Sequence, residues 1–514
     1  MVTPMSDATT VSGGPSQRRW LILGVIGLGQ VMVIMSLTVM NIALLSAQQA
    51  LHFSAADRQW VITAYSLAFG SLLLLGGRLA DLLGRKVTFL TGLVGFAGAS
   101  AIGGASVNFA MLITARACQG AFAALLVPAA LSILTTTFTE PKDRGRAFAV
   151  YGAIAGAGGA VGLLLGGALT EYLSWRWTLY VNVLFAGVAF AGGALLLTRQ
   201  RSRAQPRLDI PGALLASGGM FCLVYGFANA ATHSWATPST YGFLAAGVVL
   251  LAVFAAWQGR AAHPLLPPRV LLDRNRGGAY LSMFIAAAGL FGSFLFLTYY
   301  LQQTLGYTPV VTGLAFLPIA GGIAVAANLS TIVLMPRFGP KPLVTVGMLV
   351  GAGAMVWFAQ LGPHTAYATG VLGPVILTGV GLGMIFAPSI NTGTFGVAPQ
   401  DAGVASATVT VGQQLGASIG TSLLNTIFAS AVASYFAANA ASARLIGLPA
   451  LTGLALAHGY DTAFSWTAGI LAGGAVLAGT ILFRPGPLVK PGTPDGQAAG
   501  VREEAAETGP AISA

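Results

Sequence analysis

The side chain with the most pointed chemistry is Arg116, in the stretch Leu112-Ile-Thr-Ala-Arg116-Ala-Cys-Gln119-Gly120, about seven residues into an apolar run that starts near residue 109. At a helical rise of 1.5 Å per residue, that is roughly 10 Å below the nearer helix end. A guanidinium at this depth either faces a cavity or polar partner, or snorkels its head back to the interface. Gln119 and Gly120, three and four residues on, share its helix face. Acids are scarcer still. No Asp or Glu lies deep in any apolar run, and Asp57, Glu171 and Asp461 all sit near run ends. Chemistry that needs a buried acid must use Asp57 or Glu171; otherwise both are solvated interfacial acids.

Two further patterns carry mechanical meaning. Gly77-Arg-Leu-Ala-Asp81-Leu-Leu-Gly84-Arg85-Lys86 combines an acid, a glycine and a basic pair between two apolar runs. Asp81 and Arg85 can pair if the turn stays helical, and Gly84 lets the chain reverse. The segment reads either as a latch or as an ordinary basic loop with a solvated ion pair. Later, Gly152 and Gly156, then Gly158, Gly162 and Gly166 with Gly167 beside it, recur at four-residue spacing. Such ridges let helices approach closely or slide.

Enzyme signatures are weak. Gly416-Ala-Ser418-Ile-Gly420 fits a serine-nucleophile pattern, but it falls mid-run without a preceding strand or a triad. No G-x-x-x-x-G-K-[ST] loop is present, so ATP binding is not expected. The five histidines lie in loops or at run ends, and Cys118 and Cys222 fall inside apolar runs. No catalytic set, metal site, cofactor or disulfide framework is expected.

These residues are positioned by helices in lipid. Of 514 residues, 55% are apolar and 8% charged, against about 25% charged in soluble domains. Apolar stretches of 20 or more residues recur along the chain, as helices crossing a ~30 Å hydrocarbon layer require. The spans fall at 20–46, 59–79, 88–107, 109–138, 147–172 and 177–198, then 210–231 and 240–258, then 278–304, 309–335, 342–361, 368–397, 404–436 and 462–483. The expected domains are a cytoplasmic tail (1–19), a six-helix bundle (20–200), two additional helices (201–260), a second six-helix bundle (261–484) and a disordered cytoplasmic tail (485–514). With the N-terminus inside, 21 of the 25 Lys and Arg residues fall on the cytoplasmic side. This favours an even number of spans and both termini in the cytoplasm. The formal net charge of +11 is thereby explained by topology rather than by nucleic acid. A short echo, Leu82-Leu83-Gly84-Arg85-Lys86 against Arg337-Phe338-Gly339-Pro340-Lys341, follows the second helix of each six-helix group.

Taken together, the chain resembles the fourteen-helix drug:proton antiporters of the major facilitator superfamily over almost its whole length. The Gly77–Lys86 loop is similar to the superfamily signature, and the Arg116-Gln119-Gly120 segment to its helix-four motif. The helix-five glycines are similar to the antiporter motif, and Ser174-Trp175-Arg176-Trp177 with Asn182 to the turn into helix six. Asp57-Arg58-Gln59-Trp60 resembles the family's start of helix two. The resemblance implies an all-α membrane protein of two six-helix bundles plus two inserted helices, working by alternating access on the proton gradient. It also implies that Arg116 belongs to the proton relay, with Asp57 or Glu171 as the remaining acid. The Gly77, Asp81, Gly84, Arg85 and Lys86 loop would be the cytoplasmic gate, and Gly158, Gly162, Gly166 and Gly167 the flexible seam.

Two positions depart from the family. Ser36 stands where an aspartate is usual, and Leu163 where the antiporter motif has a proline. With Arg116 as the only deep charge, a permanently cationic cargo finds no counter-ion, while small neutral or weakly acidic amphiphiles are tolerated. Candidate hydrogen-bonding groups along a substrate path are Ser36, Asn41 and Gln119 in the first half, and Asn328, Asn391, Gln413 and Gln414 in the second. Phe291, Phe294, Tyr299 and Tyr300 could form aromatic walls. The expected activity is export of drugs or natural products across the cell membrane. The alternatives are transport of one metabolite, or a transporter-like sensor without proton coupling. No nucleic-acid partner is expected, and the sequence names no protein partner.

Overall fold

The structure is a computed structural model that describes residues 15–54, 57–138, 140–198, 209–232, 237–261, 264–362, 365–397, 402–439 and 447–483. Most of both expected tails lies outside the described residues. Among the described residues fourteen long helices run in order: α1 (Pro15–Leu51), α2 (Arg58–Leu83), α3 (Arg85–Gly104), α4 (Phe109–Thr137), α5 (Pro141–Tyr172), α6 (Trp177–Leu196), α7 (Ile210–Thr232) and α8 (Pro238–Gln258). After a single turn at Pro268–Leu271 come α9 (Arg274–Tyr299), α10 (Pro309–Leu329), α11 (Pro340–Phe358), α12 (Leu372–Thr394), α13 (Ala402–Ala438) and α14 (Leu448–Leu477). Wide π turns extend α9 to Thr304, α10 to Leu334 and α14 to Leu482, and one precedes α12.

Thirteen helices among the described residues are long and apolar enough to cross a membrane. The remaining expected span coincides with α5, whose 32 residues open on the polar Pro141-Lys-Asp-Arg. The ends are set by local chemistry. Asn108 caps α4 by accepting from Met111 N at 2.9 Å, and Thr308 caps α10 ahead of Pro309. The last helix begins at Leu448 rather than near 462, because Gly447 turns the chain at φ 82° and Pro449 starts a helix that the following Leu and Ala residues sustain.

The two halves repeat one packing pattern. In the first, α1 packs on α5 and α6, α2 on α4, and α3 on α4 and α6; in the second, α9 packs on α13 and α14, α10 on α12, and α11 on α12 and α14. The short sequence echo has a backbone counterpart. Gly84 and Gly339 both turn at positive φ, 91° and 73°, between the second and third helices of their halves. The halves meet through α2 on α13 and α5 on α10, a swapped pair of equivalent helices. The inserted helices α7 and α8 pack on each other, and α7 leans on both α2 and α13.

The buried apolar residues form two large clusters. One continuous cluster joins Ile42, Leu44, Val61, Leu112 and Leu163 of the first bundle to Phe296, Tyr300, Phe316 and Phe464 of the second. The first-bundle members all come from the helix ends opposite the Gly84 turn, called here the far end. Toward the Gly84 end, a second cluster centres on Phe89, Phe96, Leu126 and Phe138 of the first bundle and takes in Met220 of α7, Leu266 and Val411 of α13.

A buried arginine without a carboxylate

Arg116 is fully buried, so it does not snorkel. It reaches this position because α2 and α4 touch backbone to backbone. A Cβ at Gly120 would lie 3.0 Å from Phe69 N and closer still to Tyr65 O, so no larger residue fits this crossing. Arg116 Nε then donates to Val61 O at 3.1 Å on α2. Nη1 donates to Ser36 Oγ on α1 at 3.0 Å and to Gln119 Oε1 on its own helix at 2.9 Å. The guanidinium lies over the Tyr65 ring, 4.6 Å from its centroid. Gln119 Nε2 donates to Ser100 Oγ of α3 at 2.6 Å, and Ser100 Oγ donates to Phe96 O at 2.7 Å. Four helices therefore converge on one cation. Its Nη2 is buried with no hydrogen-bond partner.

The expected acids stand apart from this cluster. Asp57 is partly exposed at the start of α2, where its carboxylate accepts the Ser54 hydroxyl at 2.6 Å. Glu171 is exposed at the end of α5 and accepts Val310 N, in the first turn of α10, at 3.0 Å. That bond links the two bundles at the far end. Two others do the same: Gln59 Nε2 donates to Ser422 Oγ at 3.2 Å, and Gln302 Nε2 to Ile42 O at 3.4 Å.

A profile of the Major Facilitator Superfamily matches residues 26–421. The chain belongs to that superfamily. It is 48% identical to the puromycin resistance protein of Streptomyces alboniger, covering 91% of this chain and 92% of that one. It is 40% identical to the cephamycin export protein of Amycolatopsis lactamdurans, covering 77% and 82%. It is 36% identical to the tetracenomycin C resistance and export protein of Streptomyces glaucescens, covering 86% and 82%. Its fold is shared with an inward-facing, unoccupied bacterial homologue of the human lysosomal transporter Spinster, at TM-score 0.62 and 17% identity over 91% and 98% of the chains. The protein is a multi-pass membrane transporter of the major facilitator type.

Within this superfamily architecture, the remaining candidates separate clearly. The glycine ridge of α5 divides its work. Gly158, Gly162 and Gly166 pack against α1 at Val31, Met35 and Val39, inside the first bundle. Gly167 faces the other bundle, where a Cβ would meet Pro309 O at 2.5 Å. Leu163, at the unusual position, is buried, and a Cβ on Gly313 of α10 would meet its carbonyl at 2.6 Å. In the signature loop, Gly77 and Arg85 are half-buried, and the Asp81 side chain lies outside the described residues. Lys86 Nζ donates to Ala194 O at 2.7 Å and to Leu197 O, which ties it to α6 of its own bundle. Arg78, absent from the expected gate, reaches farther: its Nη2 donates to Pro264 O at 2.8 Å, in the segment leading to the second bundle.

Of the substrate-path candidates, Ser36 and Gln119 are spent on Arg116. Asn41 and Gln413 are half-buried, whereas Asn328 and Asn391 are exposed, the former donating to Ala324 O of its own helix at 2.8 Å. Gln414 is buried, its Nε2 has no partner, and its Cβ would sit 3.5 Å from a Cβ at Gly70 of α2. It is the candidate placed on the seam between bundles. Phe291 and Phe294 remain partly exposed, but Tyr299 and Tyr300 are buried, and Tyr300 donates to Gly362 O at 2.8 Å. The last two are packing rather than pocket walls.

One cluster escaped sequence reasoning. Asp209, just before α7, accepts from Gly212 N at 2.9 Å, Trp257 Nε1 at 2.8 Å and Gln258 Nε2 at 2.8 Å. Gln258 Oε1 in turn accepts Leu266 N at 2.9 Å. This ties both inserted helices to the segment that Arg78 holds. Burial alone would raise the Asp209 carboxyl, but the hydrogen bonds from Trp257, Gly212 and Gln258 outweigh it and hold the group below its ordinary range. An aspartate two residues before a proline is an N-cap signature, and that signal was available.

Proposed function

We propose that this chain exports a neutral or weakly acidic amphiphile from the cytoplasm by alternating access, with proton entry from outside driving the cycle. The observation that carries the reading is Arg116, fully buried with no carboxylate among its partners. An uncompensated positive charge at this depth disfavours fixed cations along a path through the first bundle and favours carbonyls, hydroxyls and weak acids. The named relatives, resistance and export proteins for puromycin, cephamycin and tetracenomycin C, support natural-product cargo. The basic-residue bias supports a cytoplasmic Gly84 end and an extracellular far end.

Coupling falls to Glu171 in this reading. Its carboxylate accepts from the N-terminus of α10, where the helix dipole favours negative charge. A proton arriving from the acidic outside neutralises it, weakens that clasp and helps the far end open, while Asp57 is engaged locally with Ser54. Arg116 stays charged and organises the first bundle. The test is transport in proteoliposomes under imposed pH gradients with puromycin as first cargo, then a panel of unrelated amphiphiles. Gradient-driven uptake of several compounds supports the exporter. Uptake of one compound alone marks a specialist, and no movement of any marks a sensor or uncoupled relative, the reading favoured by Ser36 in place of an acid.

A further inference from the structure

The far end holds an open, outward-facing cavity of about 510 Å³ that none of the roles above uses. Its walls include Arg58 and His52, the amides of Gln48 and Gln303, and the apolar side chains of Leu45 and Phe53. Such a volume is in the range of small-molecule sites. The first bundle supplies all of these except Gln303, which comes from the end of α9.

Arg58 is held in place by its neighbours. Its Nε donates to Gln48 Oε1, and Gln48 Nε2 donates to Phe53 O at 3.0 Å, which fixes the amide with its oxygen toward the guanidinium. The guanidinium lies over Tyr299 of the second bundle, 5.1 Å from the ring centroid. The adjacent Asp57 is turned away to Ser54, and no carboxylate pairs with Arg58 among the described residues. At the cavity rim, His52 takes a left-handed backbone at φ 54°, the one such non-glycine residue described. This conformation ends α1 directly after Leu51 and turns the chain toward Phe53.

We propose that this far-end cavity binds an amphiphilic carboxylate, its anionic group on Arg58 and its apolar body against Leu45 and Phe53. A planar, permanently charged fork with no acidic partner matches a carboxylate in two-point geometry. Occupancy competes with the Arg58–Tyr299 contact, which spans the two bundles, so the ligand also loosens the far-end seal. The site does not depend on what the protein carries through its centre.

The test uses the full-length protein purified in detergent, with calorimetric titration of three probes: 1-naphthoate, uncharged 1-naphthamide and 1-naphthyl phosphate. The expected result is that 1-naphthoate binds at least tenfold more tightly than the amide. Arg58→Gln erases that advantage, and Arg58→Lys retains part of it. Equal binding of naphthoate and naphthamide overturns the proposal, as does an unchanged naphthoate Kd in Arg58→Gln. Preference for the phosphate with no naphthoate binding overturns the carboxylate assignment. Should Arg58→Gln fail to fold, Gln48→Leu decides: it removes the acceptor that orients the guanidinium while leaving Tyr299 in place, so the naphthoate affinity shifts by several-fold, and an unchanged Kd refutes the site.

Discussion

Replacing Ser36 by aspartate tests the reading of the buried cation most directly. Ser36 Oγ lies 3.0 Å from Arg116 Nη1, and Nη2 beside it is buried without a partner. A carboxylate here reaches one bond farther than the hydroxyl and can take both nitrogens. With charge centres ~4 Å apart and an effective dielectric of ~20, the attraction is about 4 kcal/mol. Desolvating one new carboxylate consumes several kcal/mol of this, but Arg116 is already desolvated and an orphaned donor gains an acceptor. The protein folds, with stability changed little. The cargo effect is larger than the stability effect. A cation ~10 Å away no longer faces a net positive charge, which at the same dielectric relieves about 1.7 kcal/mol, roughly fifteenfold in affinity. Ethidium efflux and binding, at matched expression, are the assay. Cationic dye handling equal to that of the parent refutes the counter-ion argument.

Other expectations follow from single contacts. Gly120→Ala drives a methyl into Tyr65 O and the α2 backbone, so it destabilises by about 1–3 kcal/mol or more and lowers the melting temperature in detergent; an unchanged melt contradicts the crossing. Glu171→Gln keeps an acceptor for Val310 N but cannot take up a proton, so folding is retained while pH-driven transport falls; Asp57→Asn leaves coupling intact, and the reverse result moves the proton site to Asp57. Asp209→Ala strands three donors and costs about 3 kcal/mol, read as thermal stability. Because the folded Asp209 sits below its ordinary value of 3.8, its contribution is fully present above that pH. It is lost as pH falls through the lower folded value, so the parent is destabilised in strong acid more than Asp209→Asn.

The architecture was largely legible because lipid imposes simple rules. Apolar run length located most of the helices, although the last one starts at Leu448 rather than near 462. The Gly84 and Gly339 echo pointed to the repeat that the backbone turns display. What eluded the sequence was direction. Arg116 was expected to want a cavity or a polar partner, but choosing Ser36 and Val61 O requires knowing how α1, α2 and α4 cross, and Gly120 sets that crossing through contact with a helix fifty residues away. Ser36 and Gln119 read as path residues because a polar group at midplane looks the same whether it faces cargo or a neighbouring helix. Gly158–Gly167 likewise read as one seam, although the rotation of α5 turns only Gly167 among them to the other bundle. Arg78 resembled any other loop cation until Pro264 O appeared beside it.

An unpaired guanidinium has an electrical consequence as well. Were an aspartate at position 36, Arg116 and its neighbour would form a neutral dipole and ride through the conformational cycle without sensing the membrane voltage. With Ser36 the cluster carries a full elementary charge inside the field, where crossing the whole membrane is worth about 2.3 kcal/mol per 100 mV. Any rocking that shifts the first bundle through a fraction of that field performs the same fraction of that work. In the alternating-access cycle proposed above, an inside-negative voltage that pulls the guanidinium toward the cytoplasm would bias the resting orientation before any cargo or proton has bound.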